Sequence, residues 1–411
     1  MRPIFYLFSI LILVSCQGTK HNNQVTLQDD VYYLSSDALE GRESGTEGEK
    51  KATAYLAERF AAIGLAPKGD SGYFQTFNFK QGSNPHEATQ IVDSVSNASA
   101  QGINVIGYLD RSADKTVVIG AHLDHLGYGG EGSLYRDTIP SIHNGADDNA
   151  SGVALMLHLA QALSNNASGQ TNYLFIGFAG EEKGLLGSNF FAKNPTVDLS
   201  QVNYMINMDM VGRLNQEETL AVHGVGTSPV FKQVLYANND QGLTIAEHES
   251  GVGPSDHTSF YLVDLPVLHF FTGQHEDYHK PSDDADKINY VGMEKIGAFI
   301  LALINDLDDD PKLTFRKTKN ESEETPRFKV GLGVVPDYLF TGPGMRIDGV
   351  SEDKPAQKAG LQKGDVVVRL GDSTVTDMMS YMRALSSFSA GDKTKAVIER
   401  EDQSIEVEIE F

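Results

Sequence analysis

The sequence predicts an α/β protein with a mixed, largely parallel sheet covered by helices on both faces, followed by a smaller β/α domain. Apolar runs typical of strands alternate with helical periodicity over most of the chain. Short polar clusters follow the predicted strands, where the sites of parallel sheets collect. A charged, polar stretch near residues 308–326 interrupts the alternation. We therefore expect a first domain over residues 27–308, a linker over 309–326 and a second domain over 327–411.

The individual elements follow from periodicity and from the residues that end them. Two amphipathic helices are predicted first, at residues 28–39 and 48–63, and Gly64 suits the left-handed position after the second. The elements predicted next are strands 103–109 and 116–121, helix 152–163, strand 173–179, a helix from residue 185, strands 204–210 and 220–222, helix 229–238, strand 267–271 and helix 290–307. In the second domain we predict helix 355–359, strand 365–370, helix 377–385 and a final hairpin 395–411.

Composition and charge narrow the class of protein. A chain of 411 residues, 40% of them hydrophobic, can bury at least one sizeable core. The 33 basic residues against 56 acidic ones give a formal net charge of −23. This charge argues against nucleic acid or an anionic membrane surface as a partner.

The first sixteen residues predict a targeting segment. Their apolar stretch, residues 4–14, is too short to cross a bilayer comfortably. It precedes Cys16, which is the single cysteine of the chain and so cannot form an internal disulfide. The pattern looks like a bacterial lipoprotein signal at residues 1–16, with a polar tether at 17–26. We expect an exported lipoprotein anchored through Cys16, in the periplasm or at the outer membrane.

Five polar clusters carry the chemistry of the first domain. Histidines and carboxylates are the ligands that borderline and hard divalent metals prefer. The clusters are residues 121–125, 145–149, 180–182, 207–209 and 278–281. Each alone is more often a helix cap or a hydrogen-bonded pair. Their succession along one predicted sheet favours a metal-dependent hydrolase.

A site with two metal ions needs ligands for each ion and one bridging carboxylate. Asp148 suits the bridge because its loop is rich in small residues and opens into a helix. His122 and Asp209 can serve one ion, and Glu182 and His279 the other.

Two further acids have predicted roles beside these ligands. Asp124, two residues after His122, can accept the second N–H of that histidine and fix its tautomer. Glu181, adjacent to Glu182, can take a proton from a water and return it to the leaving amine. His125 and Asp147 flank predicted ligands and remain alternates.

In this order the clusters resemble those of the di-zinc aminopeptidases of metallopeptidase family 28, whose relatives include glutaminyl cyclases. The resemblance covers residues 27–307. It implies two Zn²⁺ per chain, peptide substrates with a free N-terminus, a cis bond after Asp148, and the loop pair Asp256 and His257 near the active site. It also implies the ligands His122, Asp148, Glu182, Asp209 and His279, with Glu181 as general base. Two alternatives stay open: a glutaminyl cyclase-like acyltransferase and a non-catalytic peptide-binding lipoprotein.

Residues 275–279 also form a literal H-E-x-x-H motif, which belongs to a different class of metallopeptidase. That chemistry needs a helix, so that both histidines share one face. Gly273 and Pro281 flank the motif, and the residue before a proline is pushed out of helical geometry. We therefore retain His279 as a ligand and set His275 and Glu276 aside.

The C-terminal segment resembles a PDZ domain of the type found in bacterial proteases. Gly331, Leu332, Gly333 and Val334 match its carboxylate-binding loop, and residues 355–367 match the array that follows. The resemblance implies a groove for peptide C-termini between the strand after Gly333 and the helix near residues 378–385. The alternative is a folded appendage that binds no free C-terminus.

Overall fold

The computed structural model describes residues 25–82, 89–130, 132–137, 139–166, 169–319, 330–337, 339–340, 342–351, 354–401 and 403–411. The predicted signal segment with Cys16, most of the predicted tether and residues 320–326 of the predicted linker lie outside these ranges. Among the helices of the described ranges, none is long and apolar enough to cross a membrane.

The first domain is built on one sheet, which has ten strands in the described part of the chain. They are β1 (Ala66–Pro67), β2 (Phe74–Lys80), β3 (Gln90–Ile91), β4 (Ala100–Leu109), β5 (Thr116–His122), β6 (Asn172–Phe178), β7 (Val202–Met208), β8 (Thr219–His223), β9 (Thr244–His248) and β10 (Val267–Phe271). Their order is β3-β2-β4-β6-β5-β7-β10-β8-β9, with β1 beside β4. The central strands β6, β5, β7 and β10 run parallel, with antiparallel pairs on both sides. The predicted mixed sheet is confirmed.

Helices pack on both faces of this sheet, as predicted. They are α1 (Leu27–Leu34), α2 (Glu47–Ile63), α3 (Gly152–Asn165), α4 (Leu186–Lys193), α5 (Phe231–Ala237), α6 (His257–Tyr261) and α7 (Tyr290–Asp306). Successive residues of β5 enter different cores: Val117 packs in the same core as Leu155 of α3, and Val118 in the same core as Phe260 of α6. Because strand side chains alternate between faces, a strand buried on both sides is apolar throughout.

The predicted elements match the structure closely at the centre of the sheet and less well near the N-terminus. β10 has the predicted bounds, and Gly64 ends α2 in the left-handed conformation with φ 93°. The first predicted helix is too long, because α1 ends at Leu34. The hydroxyl groups of Ser35 and Ser36 donate to carbonyls of the last helical turn, which offers the backbone an alternative to continuing the helix.

The C-terminal domain has its own sheet and core. Its strands are β11 (Val334–Pro336), β12 (Met345–Val350), β13 (Val366–Leu370), β14 (Ser373–Thr374), β15 (Lys393–Arg400) and β16 (Gln403–Glu410), and its helices are α8 (Pro355–Lys358) and α9 (Met378–Ser386). The sheet order is β11-β12-β13-β15-β16, with β14 beside β13. Val367, Ile398 and Tyr381 lie in one buried cluster of this domain.

Residues 311–319 of the predicted linker have neither helix nor strand, but they are attached to the first domain. The backbone N–H of Leu313 donates to Oδ1 of Asn203 at 2.7 Å, and that of Arg316 to the carbonyl of Thr227 at 2.8 Å. The Leu313 side chain is buried in the core of the first domain. This part of the predicted linker is therefore attached to the first domain, although most of its residues are exposed.

Candidate metal centre

The central parallel strands bring polar residues to one edge of the sheet. His122 is the last residue of β5, Glu181 and Glu182 lie in the loop after β6, and Asp209 directly follows β7. Because β5 pairs in parallel with both β6 and β7, these three strand ends lie side by side. Asp148 enters the same edge from the loop before α3.

The five predicted ligands form two groups that share Asp148. In the first group, Nε2 of His122 lies 3.2 Å from Oδ1 of Asp148 and 3.2 Å from Oδ1 of Asp209. In the second group, Nε2 of His279 lies 3.2 Å from Oδ2 of Asp148 and 3.3 Å from Oε2 of Glu182. Each carboxylate oxygen of Asp148 therefore faces a different histidine, as a bridging ligand requires.

These spacings fit zinc. With metal–ligand bonds of about 2.0 Å and tetrahedral angles, two ligand atoms of one Zn²⁺ lie about 3.3 Å apart. The four separations in the two groups are 3.2 to 3.3 Å. Imidazole nitrogen and carboxylate oxygen are also the donor types that zinc takes in proteins. The residues present thus fit two divalent ions that share Asp148.

Charge within the site is balanced between histidines and carboxylates. Burial lowers the pKa of His279, but Glu182 and Asp148 outweigh it and raise this pKa to about 11. Burial and the Asp148 charge favour protonation of Glu182, but His279 and His125 outweigh them and lower its pKa to about 2. A divalent cation would replace the histidine protons, so metal binding here releases protons.

The bridging loop is held by its neighbours. The Asp148–Asn149 peptide bond is cis, which confirms the expectation from the resemblance. Oδ2 of Asp283 accepts the backbone N–H groups of Asp147 at 2.9 Å and of Asp148 at 3.0 Å. The side-chain amide of Asn149 donates to the carbonyl of Met208, one residue before Asp209, at 2.9 Å. These bonds fix the bridge relative to the end of β7.

Arg42 is a residue that the sequence analysis missed. It is 1% exposed, and its Nε donates to the carbonyl of Leu123 at 2.9 Å, between two predicted site residues. Its terminal nitrogens donate to the carbonyls of Leu34, Asn144 and Gly145. Burial lowers its pKa to about 10 even though nearby carboxylates oppose this shift. Arg42 thus joins α1 to both ligand-bearing loops, and a lone arginine in a polar stretch gave no signal of it.

Asp124 orients His122 through a different atom from the one predicted. Nδ1 of His122 lies 3.1 Å from the backbone oxygen of Asp124 and 3.8 Å from its carboxylate, too far for a hydrogen bond. The carboxylate instead accepts the backbone N–H of Glu181 at 3.1 Å. Asp124 therefore positions both a predicted ligand and the predicted base.

Glu181 lies among acidic side chains. Burial, together with the charges of Asp209 and Glu182, raises the pKa of Glu181 well above its ordinary value, against the effect of His122. A carboxyl group with a raised pKa can both accept and donate a proton near neutral pH.

His125, which the sequence left as an alternate ligand, also belongs to the centre. Its Nδ1 lies 2.8 Å from Oε1 of Glu182 and 3.9 Å from Oδ2 of Asp148, and the ring is buried. His279 lies nearer to Asp148, and it contacts the other oxygen of Glu182. His125, Asp148 and Glu182 form one group of possible metal ligands, and His279 lies nearer to Asp148, so both histidines are candidate ligands of the second ion.

The H-E-x-x-H stretch forms a turn rather than a helix, which confirms its rejection as a zinc-binding helix. His275 and His279 do not converge: Nε2 of His275 lies 3.1 Å from Oδ2 of Asp147, while His279 contacts Asp148 and Glu182. The Glu276 side chain is exposed.

Asp256 and His257 are both buried, with different surroundings. Burial raises the pKa of Asp256 to about 7, and the nearby charges of Asp124 and Asp209 act in the same direction. His257 stacks on His269 with ring centroids 4.4 Å apart. Asp256 thus lies within the electrostatic reach of the metal centre, whereas His257 packs behind it.

The predicted carboxylate-binding loop of the C-terminal domain leads into β11, which begins at Val334. Leu332 is buried in the domain core, and Gly333 has φ +75°. A Cβ on Gly333 would lie 2.1 Å from Cβ of Lys354, so this position has no room for a side chain.

Comparison with known proteins agrees with this geometry. The model of Peptidase family M28 matches residues 104–304, and a PDZ domain model matches residues 313–411. A probable leucine aminopeptidase of Arthroderma otae is 28% identical over 223 residues, which are 51% of this chain and 58% of that protein. The chain spans about half the length of the curated relatives it matches.

Solved structures share the fold at low identity. A zinc aminopeptidase from Bacillus subtilis has a TM-score of 0.54 and 17% identity, over 72% of this chain and 97% of that one. Porphyromonas gingivalis glutaminyl cyclase has a TM-score of 0.52 and 17% identity, over 69% of this chain and 99% of that one. Residues 104–304 of this chain are thus similar to peptidase family M28, and residues 313–411 are similar to PDZ domains.

Proposed function

We propose that this chain is a two-zinc aminopeptidase that removes the N-terminal residue of peptides with a free α-amine. The observation that carries the proposal is the placement of Asp148, whose two carboxylate oxygens each lie 3.2 Å from a different histidine. His122 and Asp209 would complete one ion site, and His279 and Glu182 the other.

Glu181 would act as general base and then as general acid. When bound, the two ions would lower the pKa of a water molecule and polarise the scissile carbonyl. Glu181 would take the proton of that water and pass it to the leaving amine. Its raised pKa, caused by burial and by neighbouring carboxylates, supports this exchange. Cations close to Glu181 would oppose this shift and favour the carboxylate that accepts the proton.

The acidic surroundings also support exopeptidase selectivity. Asp256 and Asp209 act electrostatically on Glu181, so they lie close to the proposed reaction centre. Negative side chains there would attract the α-ammonium group of a peptide. A blocked N-terminus would lose this attraction.

Metal analysis and activity assays on the parent and on Glu181→Gln test the proposal. We expect about two zinc ions per chain in both proteins, and hydrolysis of leucyl-p-nitroanilide that falls by roughly 10²- to 10⁴-fold in the variant. A glutaminyl cyclase would instead release ammonia from N-terminal glutaminyl peptides. Zinc binding without turnover of either substrate class would refute both catalytic functions and leave a peptide-binding protein.

A further inference from the structure

A cavity of about 400 Å³ lies between the first domain and the PDZ domain. We call it the interdomain cavity. Arg136, Tyr278 and Lys280 line it from the first domain, and Val335, Asp348 and Val350 of strands β11 and β12 line it from the PDZ domain. This volume lies in the range of pockets that hold small ligands, roughly 300–1,000 Å³.

The cavity adjoins the metal centre through the loop of His279. The ring of Tyr278, which faces the cavity, stacks on that of His279 with centroids 3.8 Å apart. Leu134, a further lining residue, donates its backbone N–H to the carbonyl of His279 at 3.0 Å. One wall of the cavity is therefore in contact with a proposed metal ligand.

The charges on the cavity wall complement those of the metal centre. Arg136 is exposed and forms no ion pair with the described residues. Lys280 donates to the carbonyl of Glu276 at 2.6 Å, so its charge is not neutralised by that contact. Asp348 is already paired with Lys363 at 2.9 Å. Glu276 also faces the cavity, yet the two cations outnumber the unpaired acid.

We propose that the interdomain cavity binds the part of a peptide substrate that follows the scissile bond, and that Arg136 binds the C-terminal carboxylate of short peptides. The inference rests on the proposed function. A peptide would then lie with its α-amine at the acidic metal centre and its carboxylate at the cationic wall. The PDZ domain forms the other side of the binding site, so it contributes to the choice of substrate length.

Val335→Trp fills the cavity from the PDZ side and so tests whether the cavity binds the part of the peptide that follows the scissile bond. We expect the KM for a leucyl tetrapeptide to rise at least tenfold, while kcat/KM for leucyl-p-nitroanilide, which has no peptide beyond the bond, stays within twofold. Gln403→Trp places the same side chain on exposed β16 and should change neither value. Equal effects on both substrates, or no effect on either, would overturn the inference.

Arg136→Ala tests the carboxylate contact on an exposed residue. A hydrogen bond to a charged group is worth roughly 1.5–3 kcal/mol, which is about 10- to 100-fold in affinity. We expect kcat/KM to fall by that factor for a leucyl tripeptide acid and to stay unchanged for its amide. Calorimetric binding of the acid to zinc-loaded Glu181→Gln, with and without Arg136→Ala, needs no turnover. Equal affinities would overturn the inference, whereas failure to hydrolyse the anilide would overturn the proposed function alone.

Discussion

Replacing Arg42 by methionine removes the guanidinium group that joins α1 to the ligand loops. Four backbone carbonyls would lose a charged donor, each bond being worth roughly 1.5–3 kcal/mol. The cost of burying the Arg42 charge offsets part of this loss. The fall of the Arg42 pKa from 12.5 to about 10 corresponds to a cost of about 3 kcal/mol. Water molecules that reach the four carbonyl groups in the variant would restore part of the lost hydrogen-bond free energy. We therefore expect the free energy of unfolding to fall by about 4 kcal/mol, within the range for breaking a buried charged network.

Urea unfolding of the parent and the variant measures this loss. Arg369→Met is the matched control, because the Arg369 side chain is half exposed and pairs with an exposed glutamate, so the change should cost less than about 1 kcal/mol. Zinc affinity should also fall, by about 10- to 100-fold, because Arg42 supports the loop between two site residues. A variant within 1 kcal/mol of the parent and with unchanged zinc affinity would refute the role of Arg42.

Three further predictions concern other residues near the centre. Burial raises the pKa of Glu49 from 4.5 to about 7, so the contribution of Glu49 to stability is greatest below pH 4.5 and is lost as the pH rises to about 7. The free energy of unfolding in urea should therefore fall less between pH 5 and pH 8 in Glu49→Gln than in the parent. His125→Ala should still bind two zinc ions, but its affinity for one of them should fall by about 10- to 100-fold. His279→Ala should lose one ion. Metal analysis after dialysis measures both effects. Glu276→Gln should leave hydrolysis of leucyl-p-nitroanilide within about twofold, since the Glu276 side chain is exposed and this substrate has no peptide part to reach the interdomain cavity. A loss of activity in this variant, with Glu181→Gln still active, would reverse the assignment of the base.

The sequence predicted which residues converge because the polar clusters follow the order of the parallel strands. β5, β6 and β7 are continuous apolar runs, and each is followed by polar residues. Once the strands are parallel, topology alone brings His122, Glu182 and Asp209 together. The role of Glu181 as base and the roles of the other residues as metal ligands remain predictions.

Contacts made by the backbone were not predictable in the same way. The acceptors of Arg42 are carbonyls from three separate segments of the chain, and every residue type carries a carbonyl. The Asp124 contact with His122 similarly uses a backbone oxygen. The missed strand β2 did carry an alternating pattern, in which the buried Phe77 and Phe79 are separated by the polar Asn78, but the polar Gln75, which is also buried, weakens that pattern.

The two ligand groups differ in how the fold holds them. His122 and Asp209 lie at the ends of strands that the sheet aligns, so their spacing is fixed by backbone hydrogen bonds. His279 lies in a turn with φ 54°, and its contacts to the backbone of Gly132 and Leu134 join one loop to another. That same loop forms the wall of the interdomain cavity. A peptide bound in the cavity would therefore lie against the loop that carries His279, which places the PDZ domain where it can influence metal geometry as well as substrate choice.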